Sequence, residues 1–408
     1  MVGTQSSQPL QHIPTTSPRP RAGVMVPITW FFMLQPYISA YPTKNDLQPV
    51  ALILAALVLL ANAAYKGRLA TKFSPLLLFA ACIEVLHFIL FNSLAVIYIA
   101  TYIFLSFAWK HSSKISSVLI LAVMAFHLLG IIWQTVDPTS FGFIFEHFLR
   151  DVKHSFDSGR GATGFTPEPG FAGALSTVYA LIYFRFFGDK QSAQKKMLFF
   201  VMYVISISLS SSTLGYLFLP LVLVTIFFRK REKRYKLIKV CAITLAMSGV
   251  AASFLEHASV SQRGLKFVQQ LATAPALAIY DSSLQERLRS LYIGFHVMAA
   301  KPLGMGHGNF PLATEWAHQQ LPLDDLFSES RDIEGSASGA GTVMAGTGVL
   351  GALFYIVVFA GLLGRTSLAD VGVWVVSLAM FLFSFSPAFP LIYTLLVLRY
   401  RHEYIYGR

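Results

Sequence analysis

The chain has 408 residues, 55% of them hydrophobic and 13% charged, with a mean hydropathy of +0.58. That composition excludes a string of ordinary soluble domains, because so much apolar surface has no interior to occupy in water. The formal charge of +12 does not point to nucleic acid, since the Lys and Arg residues lie between long apolar runs rather than in one patch. Cys82 and Cys241 both fall inside those runs, which argues against a disulfide framework and against a thiolate metal site.

In chain order, residues 1–22 are polar and Pro-rich and read as a disordered cytoplasmic tail, without the early apolar run and cleavage site of a signal peptide. A helix needs roughly 20 apolar residues to cross about 30 Å of hydrocarbon. Such spans are expected at 24–39 (interrupted by Pro27 and Pro36), 47–65, 73–91, 94–109, 118–136, 171–187, 197–211, 214–228, 237–255 and 342–363. The stretch 371–398 divides at Ser386 and Pro387 into two short helices, which brings the spans to twelve. The expected fold class is therefore all-α and polytopic. Residues 23–255 carry nine spans and an outer loop at 137–170, residues 256–341 form a large outer subdomain with its own helical signal, and residues 342–408 hold the last spans and a cytoplasmic tail. With the N-terminus inside, 22 of the 32 Lys and Arg face the cytoplasm with four carboxylates, a net +18, against −5 on the outer face. The basic run at 229–236 then fixes topology beside anionic lipid. No internal repeat and no paired broken helices of the secondary-transporter kind are visible.

The shorter outer loop ends in Gly-Arg-Gly-Ala-Thr-Gly-Phe-Thr-Pro-Glu-Pro-Gly at 159–170. Its glycines allow tight turns, while Pro167 and Pro169 fix the approach of Glu168 and remove two backbone donors. A carboxylate is held at the membrane surface, and Arg160 can pair with it or bind an anion beside it. The bland alternative is an interfacial ion pair in a turn.

In the large loop, Leu284, Leu288, Leu291, Phe295 and Met298 recur at helical spacing and define an amphipathic helix that should stop near Lys301, before Pro302. Arg287 shares the border of that stripe with Leu291 and Gly294, whereas Arg289 points away by roughly 200° and is expected in solvent or among headgroups. His307, in Gly304-Met305-Gly306-His307-Gly308, is a candidate base or hydrogen-bond donor, or a structural turn residue. The glycine pattern lacks the preceding strand of a nucleotide loop. Glu84 and His87, one turn apart within a span, are candidates by their intramembrane position. The cluster Ser206, Ser208, Ser210, Ser211, Ser212 and Thr213 reads equally as a polar cavity lining or as small-residue helix packing. Asp324-Asp325 has no second ligand set at a useful spacing, so no metal is expected.

Several of these segments, in this order, resemble the O-antigen polymerase and ligase superfamily of membrane glycosyltransferases. The resemblance rests on Arg160 with Glu168-Pro169, Ser212-Thr213-Leu214-Gly215, Arg287-Leu288, Lys301-Pro302-Leu303-Gly304-Met305-Gly306, Gly308-Asn309-Phe310 and Gly348-Val349-Leu350-Gly351, and it spans residues 160–363. Ligases place a histidine about eleven residues before the last motif, where this chain has Ser336, Ala337 and Ser338. The likeness is therefore to polymerases of O-antigen, capsule or exopolysaccharide. It implies a bacterial inner-membrane enzyme with a periplasmic site, acting without metal or cofactor on undecaprenyl-pyrophosphate-linked oligosaccharide. The growing chain is the second substrate, and membrane lipids and a chain-length regulator protein are implied partners. Arg160, Arg287 and Arg289 would bind pyrophosphate, with Glu168 as base and His307 as second choice. The alternatives are a ligase, a transporter of lipid-linked saccharide that works through Glu84 and His87, and a non-catalytic membrane scaffold.

Overall fold

Apolar runs of this length have one stable outcome in a bilayer, the helix, because every backbone donor and acceptor must be satisfied internally. A computed structural model describes residues 24–38, 49–66, 72–145, 161–227, 282–327, 336–363, 368–383 and 386–406, and among these every regular element is helical. The long helices are α1 (Met25–Leu34), α2 (Pro49–Lys66), α3 (Ser74–Phe91), α4 (Ile97–His111), α5 (Ser117–Val136), α6 (Pro138–Phe145), α7 (Pro169–Ile182), α8 (Ala193–Leu209) and α9 (Thr213–Phe227). They continue with α10 (Ser282–Ala300), α11 (Phe310–Gln320), α12 (Gly339–Gly361), α13 (Leu368–Phe383) and α14 (Pro390–Tyr406). Helices occupy every expected span except 237–255, which lies outside the described residues, as does the 1–22 tail.

Among the described residues, four helices, Ser74–Phe91, Ser117–Val136, Pro169–Lys190 and Gly339–Gly361, are long and apolar enough to cross a membrane. Met25–Leu34, Pro49–Tyr65, Thr213–Ile226 and Asp370–Phe383 are shorter apolar helices. The expected 24–39 span is cut to α1, whose last turn gives way at Gln35 just before Pro36. Other helices carry local start signals: Ser116 accepts from the Leu119 amide at the head of α5, and Ser338 accepts from the Gly341 amide at the head of α12.

Two helices occupy the centre. In α14 every residue from Leu391 to Val397 is fully buried, and α7 is buried from Ala172 through Ile182. In these stretches all sides are buried, the pattern of an interior helix rather than a peripheral one. Around them α2, α3 and α5 turn Leu57, Leu78, Ile89, Val118 and Leu129 outward, an apolar exterior suited to lipid.

Residues expected inside converge at one end. Lys72 lies 3.7 Å from the Tyr400 ring centroid, and Arg401 donates at 2.7 Å to the Trp109 carbonyl and to the Ser112 hydroxyl. Arg399 donates to the carbonyls of Leu362 and Leu363 beyond the end of α12, and Arg185 pairs with Asp370 at 2.8 Å. Helix C-termini present bare carbonyls, and guanidinium donors satisfy them while favouring the negative end of the dipole.

Among the described residues, the 282–327 segment has a small core of Ile293, Val297, Phe310, Ala313, Ala317 and Leu323, which it shares with Ala345 of α12. Its main helix, α10, ends at Ala300 as the following Pro302 requires. The buried face is offset from the expected stripe, however. Ser290, Ile293, Gly294 and Val297 are buried while Phe295 is 55% exposed. The reason is close backbone approach: a Cβ on Gly294 would lie 2.7 Å from the Gly341 carbonyl oxygen, so small residues rather than large apolar ones choose the contact face.

Candidate functional site

At the end of the bundle opposite the basic cluster, the 161–168 segment is folded onto α5 and α8. The Ala162 amide donates to the Leu209 carbonyl at the end of α8 (3.3 Å). The Thr163 and Gly164 amides both donate at 2.7 Å to Oε1 of Gln134, in the last turn of α5. Phe165 stacks on Phe126 with centroids 4.4 Å apart and planes 11° from parallel. Thr166 closes the turn by donating to the Thr163 carbonyl (2.8 Å). The segment therefore delivers Glu168 at a fixed point, the N-cap position of α7, with extended backbone (φ −143, ψ 152).

Glu168 does not use its carboxylate to cap α7. The side chain is 51% exposed, and Oε2 lies 3.7 Å from Nη2 of Arg287. Arg287 projects from the second turn of α10 and is 9% exposed. Its guanidinium lies above the first turn of α7, because a Cβ on Gly170 would come within 3.7 Å of Nη2 and 3.8 Å of Leu214. Residues from α10 and from the head of α7 thus meet at a helix N-terminus, whose partial positive charge adds to that of the guanidinium. At 3.7 Å the contact is an ion pair without hydrogen-bond geometry. A guanidinium this close can bind an anion that forms beside the carboxylate, and the carboxylate can accept a proton from a hydroxyl.

Three serines tie α7, α8 and α9 together beside this site. Ser176 and Ser206 share a 2.6 Å hydrogen bond between α7 and α8, and the Ser212 hydroxyl accepts from the Gly215 amide and donates to the Gly170 carbonyl. Ser211 takes a left-handed conformation (φ 48) at the tight junction between α8 and α9.

The remaining candidates separate. Arg160 lies outside the described residues, while its neighbour Gly161 packs against the Ser210 carbonyl. Arg289 was expected in solvent or among headgroups; instead it is 3% exposed, with Nη2 2.5 Å from Nε2 of His318 on α11. The reason is α11, which covers the face of α10 that would otherwise be wet. His307 sits beyond the far end of α10, against Gly346, and thirteen residues of helix between Arg287 and Ala300 correspond to roughly 20 Å. Burial, with His87 nearby, pushes its imidazole down to about 4, so it is neutral at physiological pH. Glu84 accepts from the Ala95 amide at 2.6 Å just ahead of α4, a local structural task. Among the described residues, no group of three His, Cys, Asp or Glu is disposed to hold a metal ion.

Sequence reading missed Gln134 and the break in α12 at Gly348. A lone amide near the end of an apolar span is a visible signal, since polar groups there need partners; what it holds emerges only once the outer loop is folded back. No protein-family model matches this chain, and no curated protein matches it.

Proposed function

We propose that the chain is an integral inner-membrane glycosyltransferase of about twelve spans that polymerises undecaprenyl-pyrophosphate-linked repeat units at its periplasmic end. The approach of Glu168 to Arg287 is the observation that carries this reading. Glycosyl transfer from a lipid pyrophosphate requires an acceptor for one proton and a cation for a departing anion, and these two groups stand side by side. The motif resemblance between residues 160 and 363 supports the same assignment.

In the proposed step, a hydroxyl on the non-reducing-end sugar of one lipid-linked repeat attacks the anomeric carbon of the growing chain. The new C–O bond forms as the bond to pyrophosphate breaks, Glu168 takes the hydroxyl proton, and undecaprenyl pyrophosphate leaves with the electron pair. Negative charge grows on the leaving group, so the guanidinium of Arg287 binds the transition state more tightly than the ground state, a contribution of about 2–4 kcal/mol. Arg289, engaged with His318, supports α10, and His307 lies too far along that helix to share the proton transfer.

Deletion of the gene should leave surface glycan with a single repeat, whereas unattached long polymer would mark a ligase. Complementation with Glu168→Gln should leave the single-repeat product unchanged at normal protein level; a full ladder from that variant would remove Glu168 from the mechanism.

A further inference from the structure

Gln134 is 1% exposed, and its amide oxygen accepts three hydrogen bonds: 2.7 Å from the Thr163 amide, 2.7 Å from the Gly164 amide and 3.2 Å from the Thr163 hydroxyl. Two consecutive amides that converge on one oxygen form a concavity of the kind that binds anions. Gly164 makes this possible with φ +54, where a side chain would be strained and would also press on Ile131. The nitrogen of the same amide, Nε2, is buried without a hydrogen-bond partner. Only the oxygen is used, at a position where an unpaired donor costs about 1–3 kcal/mol.

The surroundings of α5 are shaped for the same segment. A Cβ on Gly130 would lie 2.5 Å from the Phe165 ring, so the glycine leaves the notch into which that ring fits. From the clamp at Thr163 and Gly164 the chain reaches Glu168 through a single closed turn, in which the Thr166 hydroxyl also lies 2.9 Å from the Glu168 carbonyl. We propose that Gln134 is the positioning residue that sets Glu168 against Arg287, by filling the Thr163–Gly164 amide concavity with its side-chain oxygen. The inference rests on the polymerase reading for its kinetic consequence and on geometry alone for the clamp.

Two variants test it in the purified full-length protein. Gln134→Leu keeps the volume and removes the acceptor, while Gln134→Glu keeps an acceptor at the same reach. Hydrogen exchange should show the Thr163 and Gly164 amides at least about tenfold faster in Gln134→Leu and close to wild type in Gln134→Glu, the scale expected when a buried hydrogen bond is lost. In polymerisation, Gln134→Leu should lower kcat about 100-fold with KM for the lipid-linked donor little changed, and Gln134→Glu should restore most of the rate, because misplacement of a reacting group acts on the chemical step. Unchanged amide exchange in Gln134→Leu overturns the clamp. Exchange that rises while kcat stays at the wild-type value overturns the positioning role. Wild-type protein that forms no polymer defeats the functional reading instead, and the exchange measurement still decides the clamp.

Discussion

At the residue scale, the two arginines of α10 do different work although they are two positions apart. Arg287 reaches Glu168 over the first turn of α7, and Arg289 reaches His318 on α11. Arg287→Ala should therefore lower turnover by two to three orders of magnitude, equivalent to about 3–4 kcal/mol, with little change in thermal stability. Arg289→Ala should do the reverse, because it removes a buried guanidinium, 3% exposed, that ties α10 to His318 of α11; a loss of about 1–3 kcal/mol in melting is expected with a near-normal rate per folded molecule. Equal kinetic defects in the two variants would contradict the division. That the pair diverges was legible from helical spacing alone, but the burial of Arg289 was not, since α11 arrives from a segment whose place no periodicity in α10 encodes.

At the element scale, α12 is interrupted at Gly348 (φ 60, ψ −140), and the loop after α10 fills the break. The Met305 and Gly306 amides donate at 2.9 Å to the carbonyls of Ala345 and Gly346, and the Val349 amide donates at 2.8 Å to the Pro302 carbonyl. Any Cβ on Gly348 would collide with that same Pro302 carbonyl. Gly348→Ala should thus release the loop and cost about 3 kcal/mol, three hydrogen bonds at about 1 kcal/mol each; melting within about 0.5 kcal/mol of wild type would refute the interlock.

The same loop carries a pH signature. His307 is held neutral with its pKa lowered from 6.5 to about 4, so the unfolded loop binds a proton that the docked loop excludes. The associated stability, about 3 kcal/mol, is complete above pH 6.5 and is lost as pH falls through 4. Melting of wild type against His307→Gln between pH 7 and 4.5 checks this: only the wild type should show that extra loss, and parallel curves would contradict it. Helix positions could be read from apolar runs because the bilayer length sets them, and the stop of α10 from Pro302. Which helices are central could not, as the apolar stretch 390–398 of α14 is equally that of a lipid-facing segment. The interlock at Gly348 depends on backbone groups about forty residues apart and leaves no periodic trace.

At the scale of the whole molecule, the described residues place several cations at one end of the bundle and the Glu168–Arg287 pair at the other. Lys72, Arg185, Arg399 and Arg401 gather at the end where α4, α7, α12 and α14 finish, bonded to helix carbonyls, an aspartate and aromatic rings. At the other end one carboxylate at the head of α7 meets one guanidinium from α10. Sequence alone nominated Glu168 and Arg287 as members of a common site; their contact could not be read because it depends on α5, α7, α8 and α10 packing together. The proposed orientation puts the basic end in the cytoplasm, in keeping with retention of positive residues on that side, and leaves the Glu168–Arg287 end to meet the lipid-linked substrate. The most direct test is incubation of the purified protein with a defined undecaprenyl-pyrophosphate oligosaccharide in EDTA, followed by sizing of the glycan. A ladder of repeats from the wild type and none from Glu168→Gln is the predicted result; unextended substrate with wild-type protein, or the same ladder from both proteins, would contradict the account.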